Sequence, residues 1–131
     1  MVDSKVYKNW FDLAEEDYGF ASANLADSDT QYFGLICFHF QQAAEKYFKT
    51  FIVAHDLKFE KIHDLGVLCQ TCITKDNNFL SLEDDCNLLS DFYVESRYPV
   101  IIPSPKTREI ASQAKESVER IREVVRNSLG L

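Results

Sequence analysis

The apolar positions of this chain follow helical order from end to end. Val6, Trp10, Leu13, Ala14, Tyr18, Ala21 and Leu25 predict a first helix from about Ser4 to Leu25 with that set turned inward. A polar break, Ala26-Asp27-Ser28-Asp29-Thr30, closes it and offers Asp29 or Thr30 as N-cap of a second helix. That second helix, Gln31 to His55, is apolar on nearly every side. Tyr32, Leu35, Ile36, Phe40, Ala43, Tyr47, Phe51 and Ala54 form one stripe, and Phe33, Cys37, Phe38, Ala44, Phe48 and Ile52 load another. A helix apolar all round is covered all round. The pattern predicts one face buried within the chain and another against a partner chain.

After an irregular stretch, Asp56 to Ile62, a third helix opens near His63-Asp64 and buries Leu65, Leu68 and Cys72. Lys75-Asp76-Asn77-Asn78 interrupts it. Ser81 followed by Asp84 reads as a variant capping box for a fourth helix carrying Cys86, Leu89, Phe92 and Tyr93. The run from Arg97 to Pro105 is not helical throughout, because Pro99 and Pro103 interrupt it. Ser104 as N-cap and Pro105 at the first helical position predict a last helix to about Ser128, with Gly130 as its stop. No segment alternates with period two. The expected fold is all-α: an up-and-down four-helix bundle with an additional short helix, five helices in a single domain over residues 1–131.

Charge narrows the partners. A net charge of −7 argues against broad coating of nucleic acid or adhesion to anionic membranes. From Pro105 onward the balance is +2, so a weakly basic last helix on an acidic body leaves room for a local anion site. No run approaches the roughly 18 apolar residues of a membrane span. The first ten residues carry charges where a signal peptide needs an apolar run, which predicts a cytoplasmic protein without membrane attachment. Cys37, Cys69, Cys72 and Cys86 lie in helical segments and read as buried thiols rather than disulfides.

Arg97 leads the candidate chemistry, since a guanidinium fork on a non-helical turn suits phosphate. It would equally tie the end of the fourth helix to a carboxylate or to carbonyls. His39, Gln42, Glu45 and Lys46 form a polar ladder at three-residue steps on the second helix, fit either to line a nucleotide pocket or to satisfy one another inside an apolar interface. Glu60-x-x-His63 has the spacing of a di-iron ligand pair, but a single copy at a helix start makes no metal centre. Cys69-x-x-Cys72 lacks the further ligands zinc needs. Lys115, Arg120, Arg122 and Arg126 interleave with Glu116, Glu119 and Glu123 as a solvated face. No glycine-rich phosphate loop and no Ser/His/Asp set occurs, so no cofactor or metal is expected.

Taken in order, four pieces resemble the HEPN domain (higher eukaryote and prokaryote nucleotide-binding). They are Trp10 with Ala14-Glu15-Glu16-Asp17, the run Phe38-His39-Phe40-Gln41-Gln42-Ala43-Ala44-Glu45-Lys46, His63-Asp64-Leu65, and Arg97-Tyr98-Pro99. The resemblance covers essentially the whole chain. It implies a helical bundle that forms homodimers, is often encoded beside a minimal nucleotidyltransferase, and in several such pairs acts as a toxin–antitoxin system. Many members are metal-independent ribonucleases whose motif is an arginine followed after four to six residues by a histidine. Here those positions after Arg97 hold Ile102, Pro103 and Ser104, and no histidine follows His63. The reading is a homodimeric nucleotide-binding or interaction module, with Arg97, Tyr98, Lys46 and Lys49 as nucleotide or RNA contacts. One alternative is a ribonuclease pairing Arg97 with His39 or His63; another is a purely structural subunit.

Overall fold

Asp3 opens the first helix, accepting a hydrogen bond from the Lys5 amide at 2.9 Å. The helices are α1 (Ser4–Ala26), α2 (Phe33–Ala54), α3 (Leu65–Ile73), a short 3₁₀ helix (Asn77–Leu82), α4 (Glu83–Arg97) and α5 (Arg108–Leu129). This computed structural model describes residues 1–97 and 105–131, with residues 94–97 described by backbone alone. Among the described residues there are five α-helices and no strand. Four are long and form the up-and-down bundle, and α3 is the additional short one, as the apolar pattern predicts.

α2 is the centre of the bundle, packing against α1, α3, α4 and α5. Ile36, Phe40, Tyr47, Phe48, Phe51 and Ile52 are essentially inaccessible to water. Each contributes about 1.5–3 kcal/mol by its burial. Past its first turn, α2 is largely covered within the chain by the other four α-helices. Its exposed apolar positions cluster at its start, where Tyr32 and Leu35, expected inside, face solvent.

α1 shows why helical periodicity alone misplaces residues. Tyr7, Ala14, Ala21 and Leu25 turn inward, while Val6 and Leu13, expected inside, are about half exposed. The two apolar lines run one residue apart, and either satisfies the same period. Small Ala14 and Ala21 win because they let α1 approach α2 closely, which the long neighbouring side chains would prevent.

The caps also differ from expectation. Thr30 accepts from the Tyr32 amide at 3.3 Å and serves the loop, and no side chain caps α2. The Ser81 hydroxyl donates to the Asn78 carbonyl inside the 3₁₀ helix, which Asp76 caps by accepting from the Asn78 amide. α5 begins at Arg108 rather than at Pro105, because the Thr107 hydroxyl accepts from the Ile110 amide at 3.2 Å. Ser104 lies outside the described residues. Asp64 caps α3 by accepting from the Val67 amide at 3.1 Å, and Gly130 ends α5 in the left-handed conformation, φ 68°, as its expected stop.

Arginines join the long helices at their flanks. Arg108 donates to the carbonyls of Leu25 and Asp27, satisfying the end of α1. Arg120 forks onto the buried Asp85 of α4 at 2.8 and 2.9 Å.

Candidate functional site

The polar residues of α2 are held in two separate clusters. On the α1 side, His39 Nδ1 lies 3.0 Å from Asp17 Oδ1, and Lys46 Nζ donates to the other oxygen of Asp17. The His39 ring sits edge-on to Phe20 and Phe38. On the α3 side, Glu45 is the hub. Its carboxylate is 95 % buried and bridges Lys49 Nζ at 3.0 Å and His63 Nδ1 at 2.8 Å. Lys49 is buried too, with its ammonium over the rings of Trp10 and Phe59 at 5.7 and 5.6 Å.

His63 is fixed from three directions. Glu45 takes its Nδ1, and Gln41, one turn earlier on α2, donates to its carbonyl at 3.5 Å. Tyr93 of α4 stacks on its ring with centroids 4.4 Å apart and planes 18° from parallel. The Gln42 amide donates to Gln41 Oε1 at 2.7 Å, closing the strip. Nε2 is the ring nitrogen not committed to Glu45, and the His63 side chain is 46 % exposed.

α4 carries this geometry toward Arg97. Tyr93 and Arg97 are four residues apart on one helix, so Arg97 begins one turn beyond the stack on the same side. The Arg97 side chain and all of Tyr98 lie outside the described residues. The backbone places Arg97 as the last residue of α4, where the sequence pattern puts it on a non-helical turn.

Of the expected site residues, the fold brings Glu45, Lys49 and His63 together, and sets His39 and Lys46 apart around Asp17. Glu60 pairs with the exposed Lys58, away from His63. The CxxC thiols are buried, and desolvation pushes Cys72 well above the ordinary thiol range. No group of three metal-ligating side chains gathers among the described residues. Asp17, Gln41 and Tyr93 escape sequence reasoning as members of these clusters. Asp17 sits in an acidic run that looks like solvated surface, and only the packing of α1 on α2 selects it.

A third network faces α5. Glu15 accepts from Arg122 at 2.6 and 3.0 Å and from the Tyr47 hydroxyl at 2.6 Å. Burial pushes the Glu15 carboxyl up, but the Arg122 and Tyr47 hydrogen bonds outweigh it and hold it below the usual range. Its stabilisation is therefore complete above the ordinary glutamate pKa and is lost as pH falls through the lowered value. Burial and Glu15 together push the Tyr47 phenol up, so it stays protonated. This network is structural, since every member is satisfied within the bundle.

The model of the HEPN domain family matches residues 7–128. The chain belongs to the HEPN family. Two solved structures share the fold of this HEPN chain. TT1696 from Thermus thermophilus is 24 % identical, with a TM-score of 0.79 over 92 % of this chain and 96 % of that one. ST0689, described as an archaeal HEPN homologue, is 21 % identical, with a TM-score of 0.72 over 94 % and 97 %. No curated protein matches the sequence significantly. The HEPN fold accounts for the bundle, and no helix among the described residues is long and apolar enough to cross a membrane.

Proposed function

We propose that this HEPN chain is a self-pairing module that holds the phosphate of a nucleotide or RNA where α4 ends, and works beside a minimal nucleotidyltransferase in a toxin–antitoxin-like pair. The observation that carries the site is the stack of Tyr93 on His63, which anchors the turn of α4 just before Arg97. Arg97 supplies the guanidinium fork and Tyr98 a surface for the base. Lys46 and Lys49 are already neutralised by Asp17 and Glu45, which leaves the anion to Arg97.

Calorimetric titration with ATP, GTP and CTP tests this. Arg97→Ala should weaken binding by about tenfold or more, the scale of losing a charged hydrogen bond of ~1.5–3 kcal/mol. Equal affinity in the variant removes Arg97 from the site, and no heat with any nucleotide leaves a protein-binding module.

The Glu45–His63 contact favours a ribonuclease as the second reading. A buried carboxylate on Nδ1 orients the ring and leaves Nε2 to move a proton beside Arg97. His39 fits this role less well, since Lys46 competes for the same Asp17. RNA cleavage in excess chelator, abolished by His63→Gln with nucleotide binding retained, would establish it. Intact RNA after prolonged incubation with the wild-type protein would end it.

A further inference from the structure

Two cysteines meet across the seam between α3 and α4. We propose that Cys69 and Cys86 are an oxidative modification site, closed to a disulfide by a hydroperoxide and reopened by a thiol. The inference is independent of the nucleotide reading above. Cys69 lies in the middle of α3 and Cys86 in the first turn of α4, and both are reduced thiols in this structure. The Cys86 thiol donates a hydrogen bond to the Cys69 sulfur, and the Cys69 thiol donates to the Phe79 carbonyl at 3.4 Å. The two sulfurs are therefore in contact before any oxidant arrives.

Access separates this pair from the other thiols. Both side chains are buried, yet together they line a surface pocket of about 240 Å³ with Gly66, Gln70, Glu83 and Asn87. Hydrogen peroxide is little larger than water, whose share of liquid volume is about 30 Å³, so the pocket admits it. Cys72, the other member of the CxxC, is not part of that lining, and its thiol turns to the Phe48 carbonyl of α2 at 3.8 Å. Cys37 lies on α2, also outside the pocket.

The pair is asymmetric, as a two-step oxidation needs. The hydrogen bond from Cys86 holds the Cys69 thiol below the usual thiol range. The same bond, with burial, pushes Cys86 up. Cys69 is thus the sulfur that first becomes a thiolate. It attacks one oxygen of the peroxide, the O–O bond breaks, and hydroxide leaves Cys69 as a sulfenic acid. That hydroxide takes up the proton Cys69 gave up. The Cys86 sulfur then attacks the Cys69 sulfur, the S–O bond breaks as the S–S bond forms, and the Cys86 proton leaves with the oxygen as water. Two thiols and one hydrogen peroxide give one disulfide and two waters.

The closed loop would hold residues 70–85, which include the 3₁₀ helix and its buried Phe79. It would also pin α3 to α4. His63 stands two residues before α3, and Tyr93 lies two turns beyond Cys86 on α4. Oxidation therefore fixes the two elements that bring His63 and Tyr93 into their stack.

Peptide mapping of the full chain tests this. The folded protein is treated with hydrogen peroxide, its remaining thiols are alkylated, and it is digested with trypsin. Peptide 62–75, with Cys69 and Cys72, should appear joined to peptide 76–97, with Cys86, and lighter by two hydrogens than their sum. Dithiothreitol should separate them. Cys72→Ala should keep the link, whereas Cys69→Ala and Cys86→Ala should each lose it. The melting temperature of the oxidised wild type should rise by about 5–10 °C, the scale of closing a loop of this length, with no rise in Cys86→Ala. Thiols left unjoined in the folded wild type, or joined only after unfolding in urea, overturn the site whatever the variants do. A link that survives in Cys69→Ala assigns it to Cys72 and overturns the pair. An oxidised protein that melts below the reduced one overturns the pinning of α3 to α4.

Discussion

Glu45→Ala will be among the most destabilising single changes in this protein, lowering the unfolding free energy by about 3–5 kcal/mol. Removing the carboxylate leaves the Lys49 ammonium, whose side chain is 93 % buried, without its counter-ion, and frees His63 from its anchor. The rings of Trp10 and Phe59 soften that loss only in part. Urea unfolding followed by circular dichroism measures it. Replacing both partners, as Glu45→Leu with Lys49→Met, should recover most of the stability, because no buried charge then remains. A loss below ~1 kcal/mol in Glu45→Ala, the worth of an exposed pair, would mean that Lys49 swings into solvent.

The second large effect lies outside the site. Phe79 is fully buried on the 3₁₀ helix and meets Phe51 at 4.5 Å and Phe48 at 6.2 Å. Phe79→Ala should cost about 3–5 kcal/mol, the range for an aromatic cavity that the surroundings fill incompletely. Phe79→Leu, closer in volume, should cost about half as much or less. The denaturant midpoint reports both. Equal stability of the alanine variant would show that the 3₁₀ helix closes the gap by moving onto α2.

Helix existence was legible in the sequence because period and breaks agreed. The five α-helices, the opening of α3 near His63-Asp64 and the Gly130 stop all occur about where the pattern puts them. Facing was not legible where two apolar lines ran side by side. Val6 and Leu13 on α1 satisfy the same period as Tyr7 and Ala14, and only contact with α2 chooses between them. The start of α5 was misplaced for a related reason, since Ser104-Pro105 and Thr107 both carry N-terminal signals and local hydrogen bonding selects Thr107.

The candidate site was legible by residue type but not by grouping. Glu45 stood out through its neighbours on α2, yet its partner His63 is 18 residues away, across a turn and an irregular stretch. Asp17 and Tyr93 join from other helices. Long-range pairs of this sort leave no periodic trace, so composition and spacing list the polar groups without sorting them into clusters.

The position of α2 has a further consequence for how the molecule opens. Its neighbours come from both ends of the chain, α1 from the first residues and α5 from the last, and Val2 even donates a backbone hydrogen bond to the Ala54 carbonyl. No smaller fragment can shield α2, so its amides between Cys37 and Ile52 should exchange with solvent deuterium only when the whole bundle comes apart. The outer faces of α1 and α5 can fray in local steps, while the middle of the chain reports a single, global event.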